Sequence, residues 1–479
     1  MLLRGNPAPF VSIVLLASTV VAASPPEVAP AAETPGAERA QGMTQVLANR
    51  HLYTLTECLM LAERNHPVLA MARARLANVH AQLDEARWIP YFQWSSTLSG
   101  GVMPAVGGTI FFGGTPFQDL NANLTNGLQP FFRYDLSGGV PIYTFGKITS
   151  GLKAAEAQTR AGEWDLEKNR LQVRTDVRRA YYGLMLTRDA RYVVNEVTGR
   201  IETSLREVRA HIAKSDAGFD ELDRLRLENY KDEIQLRSSD LDKGERFALA
   251  SLRFLTGVQD VFDIIDKPLE RPTRTLGPLL QYLTAARLYR PDVNLARSGV
   301  VARRALVDLQ RARLFPDFAL AMSASYAVSP SAVQQPVAWG NDPFNRFGYG
   351  FGFFVRWSMD LLPAQARVRR AEAELAEALA QERLALGGIA VEVENQYGIV
   401  FDAATREENW SRVEHRARGW MALVRDGIDL GTRDEKQMVE PLRNYVNARA
   451  QRMTALMDLR VHMSELARMT GWDEVASDE

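Results

Sequence analysis

The chain has 479 residues, with 57 basic and 58 acidic side chains and a net charge of −1. This balance excludes the strong positive charge by which proteins attract nucleic acids, so we predict no nucleic-acid partner. Cys58 is the only cysteine, which excludes an intrachain disulfide framework and a cysteine-based zinc cluster.

The N-terminus has the pattern of a secretory signal peptide, predicted over residues 1–23. Arg4 supplies the positive charge, residues 10–21 form the apolar stretch, and small residues predict cleavage after Ala23. A Pro/Ala-rich leader follows over residues 24–50, and no cysteine is present there to carry a lipid anchor. Beyond the signal there is no run of about 18 apolar residues, so any membrane crossing must use strands.

The rest of the chain repeats one plan twice, over residues 51–272 and 273–472, before a tail of residues 473–479. Each copy is predicted as helix, strand, loop, strand, long helix, turn and helix. A short helix begins at Pro67 or Pro291, and a second proline ends it. The predicted helices are Pro67–Ile89, Gly146–Lys214, Phe219–Thr256, Pro291–Phe315, Pro363–Asp429 and Arg433–Thr470.

The long helix of each copy is predicted to reach about 100 Å at 1.5 Å per residue. The two shorter helices of a copy have together nearly the same length, so they could stack end to end along it. Apolar residues recur at coiled-coil spacing, as in Val197, Ile201 and Leu205. Gly218 and Gly431 are predicted to form turns at the far ends, where a positive φ favours glycine.

Four segments alternate between apolar and small or polar residues. They predict strands at about residues 91–106, 131–145, 317–329 and 346–360, joined by loops over Gly107–Pro130 and Ser329–Arg346. Such alternation is typical of transmembrane barrel strands, whose apolar face meets lipid and whose polar face lines a wet lumen. A half-buried sheet in a soluble protein alternates in the same way. The secretion signal and the many Phe, Trp and Tyr residues favour the membrane.

Four strands cannot close a barrel, because bacterial barrels begin at about eight strands. An open sheet edge within lipid would leave backbone N–H and C=O groups unpaired. Two chains would supply a barrel too narrow for a generous channel, whereas three chains would supply 12 strands. The predicted fold class is therefore mainly α with a transmembrane β-barrel portion, in a homotrimer whose 12-stranded barrel takes four strands from each chain.

Several motifs occur in the order found in a known family. They are TLTECLMLAERNHP (54–67), the Ile89-Pro90 and Phe315-Pro316 junctions, VPIYTFGK (140–147) and DLGTRDEKQMVEPLRNYVNARAQ (429–451). Together they resemble the TolC family of outer-membrane efflux proteins across about Leu52–Trp472. The resemblance implies a homotrimer in the cell outer membrane, with a long α-helical tunnel in the periplasm. It also implies a passive duct for a tripartite efflux or type I secretion system, with a periplasmic adaptor and an inner-membrane pump of RND, ABC or MFS type.

The resemblance further implies which residues form a gate at the periplasmic end. Glu440 and Gln437 match positions of acidic ring residues, Arg433 matches a linking arginine, and Asp223 is its expected partner. The turns around Gly218 and Gly431 are the expected adaptor contacts. Gln437 is uncharged, and Pro441 follows Glu440, which predicts a bend in that helix. The alternative for these charged residues is an ordinary solvated helix face.

Patterns that carry enzyme chemistry are missing from the sequence. The six histidines lie far apart and form no HExxH pair, and no phosphate-binding loop or nucleophile elbow occurs. We therefore predict no enzymatic activity, no catalytic residue, no metal and no cofactor. A second hypothesis is a secreted periplasmic coiled-coil scaffold or adhesin without a pore. It would explain the helices but leaves the four alternating segments without a role.

Overall fold

The computed structural model describes residues 51–91, 93–112, 115–214, 221–330, 332, 345–433 and 435–473. The predicted signal peptide, the leader, Gly218 and most of the predicted loop over residues 329–346 lie outside the described residues. Asp473, the first residue of the predicted tail, accepts a hydrogen bond from the buried Arg178 at 2.9 Å and pairs with Arg174 at 3.1 Å.

The described residues form eight α-helices, a 3₁₀ helix and six strands. The helices are α1 (Leu55–Asn65), α2 (Pro67–Trp88), α3 (Lys147–Ala213), α4 (Glu221–Thr256), α5 (Leu279–Tyr289), α6 (Pro291–Ala312), α7 (Leu361–Asp429) and α8 (Val439–Thr470), with the 3₁₀ helix at Glu435–Met438. The strands are β1 (Leu52–Tyr53), β2 (Gln93–Phe112), β3 (Thr115–Tyr143), β4 (Asp263–Ile264), β5 (Asp317–Val328) and β6 (Arg346–Arg356).

The duplicated plan is confirmed by the two helices that begin at proline. α2 and α6 each have 22 residues with Pro67 or Pro291 at the first position. Proline has no N–H to lose there, because the first turn of a helix leaves its N–H groups unbonded. The preceding residues, His66 and Arg290, are both extended and occupy the N-cap positions, where only the His66 side chain makes a capping hydrogen bond.

His66 is a buried histidine whose ring caps α2. Its Nδ1 accepts a hydrogen bond from the backbone N–H of Val68 at 3.3 Å, so the neutral ring carries its proton on Nε2. Only 5% of the residue is exposed. Burial lowers the pKa of His66 because it disfavours the charged ring, and the negative charge of Asp176 opposes this effect.

We expect the protein to lose stability as the pH falls below about 6.5, the ordinary pKa of histidine. The folded protein holds His66 at a lower pKa, so the unfolded chain takes up a proton first and becomes favoured on acidification. Thermal unfolding in detergent at neutral and mildly acidic pH measures this loss. His66→Asn keeps a capping side chain that does not titrate, and the same pH dependence in this variant would contradict the assignment.

The long helices α3 and α7, of 67 and 69 residues, organise the helical layer. Near the sheet, α2 and α6 pack along α3, and α6 also packs on α7. Farther from the sheet, α4 and α8 replace α2 and α6 along α3, and α8 also packs on α7. The layer therefore runs α2–α3–α6–α7 at one end and α4–α3–α8–α7 at the other, which confirms the predicted end-to-end stacking.

Apolar residues at the predicted coiled-coil spacing hold the far half of this layer together. Val197, Ile201 and Leu205 of α3 are buried against Leu227 of α4 and Leu442 of α8. Each such buried side chain contributes about 1.5–3 kcal/mol by its removal from water. None of the described helices combines enough length and apolar character to cross a membrane.

The four long strands form one antiparallel sheet in the order β2-β3-β5-β6. The prediction of a loop over residues 107–130 is wrong, because β2 and β3 continue pairing up to Phe112 opposite Thr115. Register shifts after Pro104 and Gly107 interrupt the alternation that the sequence shows. Pairing resumes beyond each shift, because backbone hydrogen bonds do not depend on which side chains are present.

Both junctions between a strand and a long helix attach to the end of α6. Phe145, with φ of 50°, follows β3 and stacks its ring on Phe315 at 5.0 Å. The neighbouring Lys147 donates a hydrogen bond from Nζ to the carbonyl of Phe315 at 2.8 Å. After β6, Trp357 Nε1 donates to the carbonyl of Leu314 at 3.1 Å. These contacts join the sheet to the helical layer.

Candidate functional site

The sheet has one continuous apolar face, rich in aromatic residues. The strand register places Met322 opposite Phe351 and Leu320 opposite Phe353, and the two phenylalanines are 81% and 82% exposed. The members of this face are Trp94, Leu98, Val102, Phe132, Tyr134, Leu136, Val140, Phe318, Leu320, Met322, Tyr326, Phe347, Tyr349, Phe351, Phe353 and Val355. A face of this size is unfavourable in water and suits a lipid environment.

The opposite face of the sheet carries mainly small and polar residues, with the exposed Phe354 as an apolar exception. Ser323 lies opposite Gly350 and Ser325 opposite Gly348. The only charged pair within β3 among the described side chains, Arg133 with Asp135, lies on this face with Nε and Oδ2 2.6 Å apart. The alternation predicted from the sequence therefore separates an apolar surface from a polar one.

Both edges of the sheet are open in the described chain. β2 and β6 each pair on one side only, and their free edges lie at opposite ends of the strand order. The helical layer is open in the same sense, because α7 ends it on one side and α2 and α4 end it on the other. Apolar side chains remain exposed on these outer helices, including Leu236 and Phe247 on α4 and Leu384 and Val391 on α7.

The turn from α7 to the 3₁₀ helix is a Schellman motif, a helix end closed by a left-handed residue. Gly431 has φ of +67°, which confirms the predicted turn glycine. The N–H of Gly431 donates to the carbonyl of Ile428, and the N–H of Thr432 donates to the carbonyl of Gly427, both at 2.9 Å. Gly218, the matching turn glycine of the first copy, lies outside the described residues.

Helix α8 begins at Val439, so the prediction that it starts at Arg433 is wrong, as is the predicted bend at Pro441. Residues 435–438 form a 3₁₀ helix, and Pro441 is only the third residue of α8. An N–H at this position would have no partner within the helix, so proline fits there without a bend.

The predicted gate residues lie on different parts of this end. Gln437 is exposed on the 3₁₀ helix, and Glu440 is exposed at the second position of α8. Glu440 lines a cavity of ≈ 620 Å³ between α3, α4 and α8, together with Glu233 and Arg443. Arg433 lies in the turn. In the described part of the chain, no ion pair or hydrogen bond joins Arg433 to Gln437 or Glu440.

Asp223 lies near the start of α4, but its side chain is outside the described part of the structure. Beside it, two arginines hold Glu228 at the α3–α4 end. Arg209 Nη2 of α3 lies 2.7 Å from Glu228 Oε1, and Arg224 Nη1 lies 2.6 Å from the same oxygen. Hydrogen bonds from Arg209 and then Arg224 lower the pKa of Glu228. The carboxylate therefore stays charged and ties the two helices together.

A buried group of charges between α7 and α8 is not among the predicted residues. Glu407 and Glu414 of α7 are 1% and 4% exposed. Arg452 of α8 donates to both, from Nε to Glu407 at 3.3 Å and from Nη1 to Glu414 at 2.9 Å. Arg418 also donates to Glu414, at 2.9 Å. The sequence signal is that the two glutamates fall seven residues apart, on the face that buries Val400 and Ala417.

Comparison with known proteins identifies the family. The sequence model described as "Outer membrane efflux protein" matches residues 59–220 and 282–472. The chain belongs to this family. Among curated proteins no sequence matches this efflux protein.

Solved outer-membrane channels share the fold. OprN is 20% identical, with a TM-score of 0.68, over 87% of this chain and 89% of that one. MtrE of Neisseria gonorrhoeae is 15% identical, with a TM-score of 0.70, over 87% and 89%. CmeC of Campylobacter jejuni is 16% identical, with a TM-score of 0.66, over 87% and 85%. The resemblance to TolC-type proteins is confirmed, and so is the mainly α fold with its duplicated plan and four long strands.

Family membership also gives the location and the general role of the chain. It is an efflux protein of the outer membrane, in a family of channels rather than enzymes. The hypothesis of a scaffold or adhesin without a pore is therefore not favoured. The exposed apolar face agrees with this location because it can contact lipid, and the open sheet edges can pair with further strands.

Proposed function

We propose that this efflux protein forms, as a homotrimer, the exit duct of a tripartite efflux or type I secretion system. The observation that carries the proposal is the four-stranded sheet with two open edges and one continuous apolar face. In lipid, each unpaired backbone group costs several kcal/mol, roughly the value of a lost hydrogen bond in an apolar solvent. Other copies of the chain can supply the missing strands.

The order of the elements supports closure into a ring. The sheet runs from β2 to β6, and the helical layer runs from α2 and α4 to α7. One edge of a copy can therefore meet the opposite edge of the next copy in both layers at once. Contacts of this head-to-tail kind form a closed ring when the rotation between copies is suitable. Three copies give a barrel of 12 strands.

The number of copies is tested by crosslinking across the free edges. We propose cysteine pairs that join β2 of one copy to β6 of the next, with the native Cys58 buried and unavailable. In detergent, the expected product is a covalent trimer in which each β2 edge is crosslinked to the β6 edge of the next copy. A detergent-free monomer, or a crosslinked dimer as the final product, would refute the proposed ring.

The proposed partners are a periplasmic adaptor, an inner-membrane pump of RND, ABC or MFS type, and the lipid of the outer membrane. The adaptor would bind at the turns around Gly218 and Gly431. Leu430, next to Gly431, is 78% exposed at the end of α7. An exposed apolar side chain at the tip of a long helix is a suitable contact for a partner protein.

Conduction is proposed to be passive and gated at the periplasmic end by Glu440, Gln437, Arg433 and Asp223. In a trimer, three Glu440 carboxylates would surround the axis and favour the entry of cations. The exposure of Glu440 and Gln437 supports this role. Arg433 and Asp223 would link neighbouring helices and hold the end closed.

We expect the double variant Glu440→Ala with Gln437→Ala to lower the preference of the channel for cations. The negative ring is removed, so cations lose their electrostatic advantage at the entrance. Reversal potentials in planar bilayers under a salt gradient measure the change. Glu440→Asp keeps the charge and serves as the control, which should retain the selectivity of the native channel. Unchanged selectivity in the double variant would remove the gate assignment.

A further inference from the structure

The side chain of Arg433 lies against the backbone of α7. The chain turns back after Gly431, and the N–H of Arg433 donates to the carbonyl of Gly427 at 3.1 Å. The same carbonyl accepts from Thr432, through its N–H at 2.9 Å and its Oγ1 at 3.0 Å. The Gly427 carbonyl thus fixes the backbone at the point from which the arginine side chain leaves.

Gly427 leaves space for the aliphatic part of this arginine. A methyl group at Gly427 would lie 2.8 Å from Cδ, 3.0 Å from Cγ and 3.3 Å from Nε of Arg433. Carbon atoms at optimal contact are about 3.5–4.0 Å apart. Any side chain at position 427 would therefore displace the arginine. In a Schellman motif an apolar contact commonly covers this part of the helix, and here the stem of Arg433 covers it.

The backbone of Gly427 itself does not require glycine. Its φ is not positive, unlike that of Gly431, and it lies inside the last turn of α7. Glycine in a helix is less favourable than alanine by about 1 kcal/mol. The close approach of Arg433 is the feature of the structure that accounts for the missing side chain.

We propose that Gly427 is a positioning residue of the gate, which sets the direction in which the guanidinium of Arg433 points. The inference rests on the proposed function, because it assumes that Arg433 links helices in the closed channel. The Gly427 carbonyl holds the backbone of Arg433 through its N–H. The missing side chain at Gly427 leaves room for the aliphatic part of Arg433 to lie against α7. Arg433 thus has fewer orientations to lose when its guanidinium binds a neighbouring helix.

The test compares Gly427→Ala with Gly419→Ala in single-channel recordings from planar bilayers. Gly419 lies on the same helix and a methyl group there meets no atom within 4 Å. Both changes increase helix propensity equally, so only Gly427→Ala should disturb the gate. Arg433→Ala and the Gly427→Ala/Arg433→Ala double variant complete the set. Thermal unfolding of each variant shows that the fold is retained.

We expect Arg433→Ala to raise the ratio of open to closed channels roughly tenfold, the weight of one hydrogen bond to a charged group. Gly427→Ala should also raise this ratio, whereas Gly419→Ala should leave it at the native value. The double variant should match Arg433→Ala alone, because a positioning residue has no effect once the residue it positions is removed.

Two results would overturn the inference and separate it from the proposed gate. If Arg433→Ala opens the channel but Gly427→Ala behaves like Gly419→Ala, the gate stands and the positioning role is refuted. An additive effect of the two changes in the double variant would refute it as well. If Arg433→Ala leaves the open fraction unchanged, Arg433 is not a gate residue and the role of Gly427 falls with it.

Discussion

Replacing Phe351 by arginine is expected to remove most of the folded protein from the outer membrane. Phe351 lies in the middle of β6 on the apolar face and is 81% exposed. An arginine on the lipid face near the middle of the bilayer costs about 2–4 kcal/mol in a membrane barrel. In the proposed trimer each of the copies bears this cost. The summed cost is large compared with the stability of a marginally stable assembly.

The chain offers a control at the same depth. Ser323 is the neighbour of Met322, the residue opposite Phe351, and it lies on the small, polar face of the sheet. Ser323→Arg introduces the same charge on the face proposed to line the lumen, and in membrane barrels a change on the lumen side alters selectivity rather than stability. Quantifying folded protein in the outer-membrane fraction compares the two variants. Equal amounts of both would contradict the assignment of the aromatic face to lipid.

The second large effect is expected at the buried charges between α7 and α8. Arg452→Met should lower the free energy of unfolding by about 3 kcal/mol, the lower part of the range for breaking a buried ion pair. Glu407 and Glu414 are nearly inaccessible to water and would lose their shared cation. Arg418 still donates to Glu414, and Arg271 still pairs with Glu407 at 3.5 Å, and these remaining contacts limit the loss. Thermal or urea unfolding in detergent measures the change.

A triple variant provides the control for this result. Arg452→Met combined with Glu407→Gln and Glu414→Gln removes all three charges while it keeps the volume of the side chains. If the loss arises from uncompensated buried charge, the triple variant should recover much of the native stability. A triple variant less stable than Arg452→Met alone would show that packing, and not charge, determines the effect.

The sequence predicts most of the helical layer and the sheet because their patterns are periodic. The short helices begin at Pro67 and Pro291 as expected, and the seam around Val197 and Ile201 is buried. Helix α1 was not predicted, although Thr54 and Glu57 form a capping box with bonds of 2.8 and 3.2 Å. That pattern in TLTE is a sequence signal for a helix start.

The long hairpin of β2 and β3 was missed for a different reason. Alternation reveals a strand only where its two faces meet different surroundings. Beyond Pro104 the register shifts interrupt this alternation, so the backbone pairs without leaving a regular pattern in the sequence. The start of α8 was misplaced because a 3₁₀ turn and a helix use the same residue types. Only the contacts show that Pro441 falls in the first turn.

The candidate site could be predicted only in outline. The order GTRDEKQMVE identifies which residues lie near the turn, but the position of Arg433 against Gly427 depends on the path of the chain after Gly431. The pairing of Arg452 with two glutamates depends on how α8 lies along α7. Both features arise from contacts between elements, which a periodic pattern does not specify.

The attachment of both strand–helix junctions to the end of α6 has a mechanical consequence. Lys147 at the start of α3 and Trp357 shortly before α7 hold the beginnings of the two long helices beside the sheet. The 69-residue helix α7 reaches about 100 Å from this attachment, since helices rise about 1.5 Å per residue and bend little. A rotation too small to disturb the packing near the membrane would shift the opposite tip by several ångströms. In the proposed duct, the attached end of the long helices and the proposed gate therefore lie at opposite ends of the same helices.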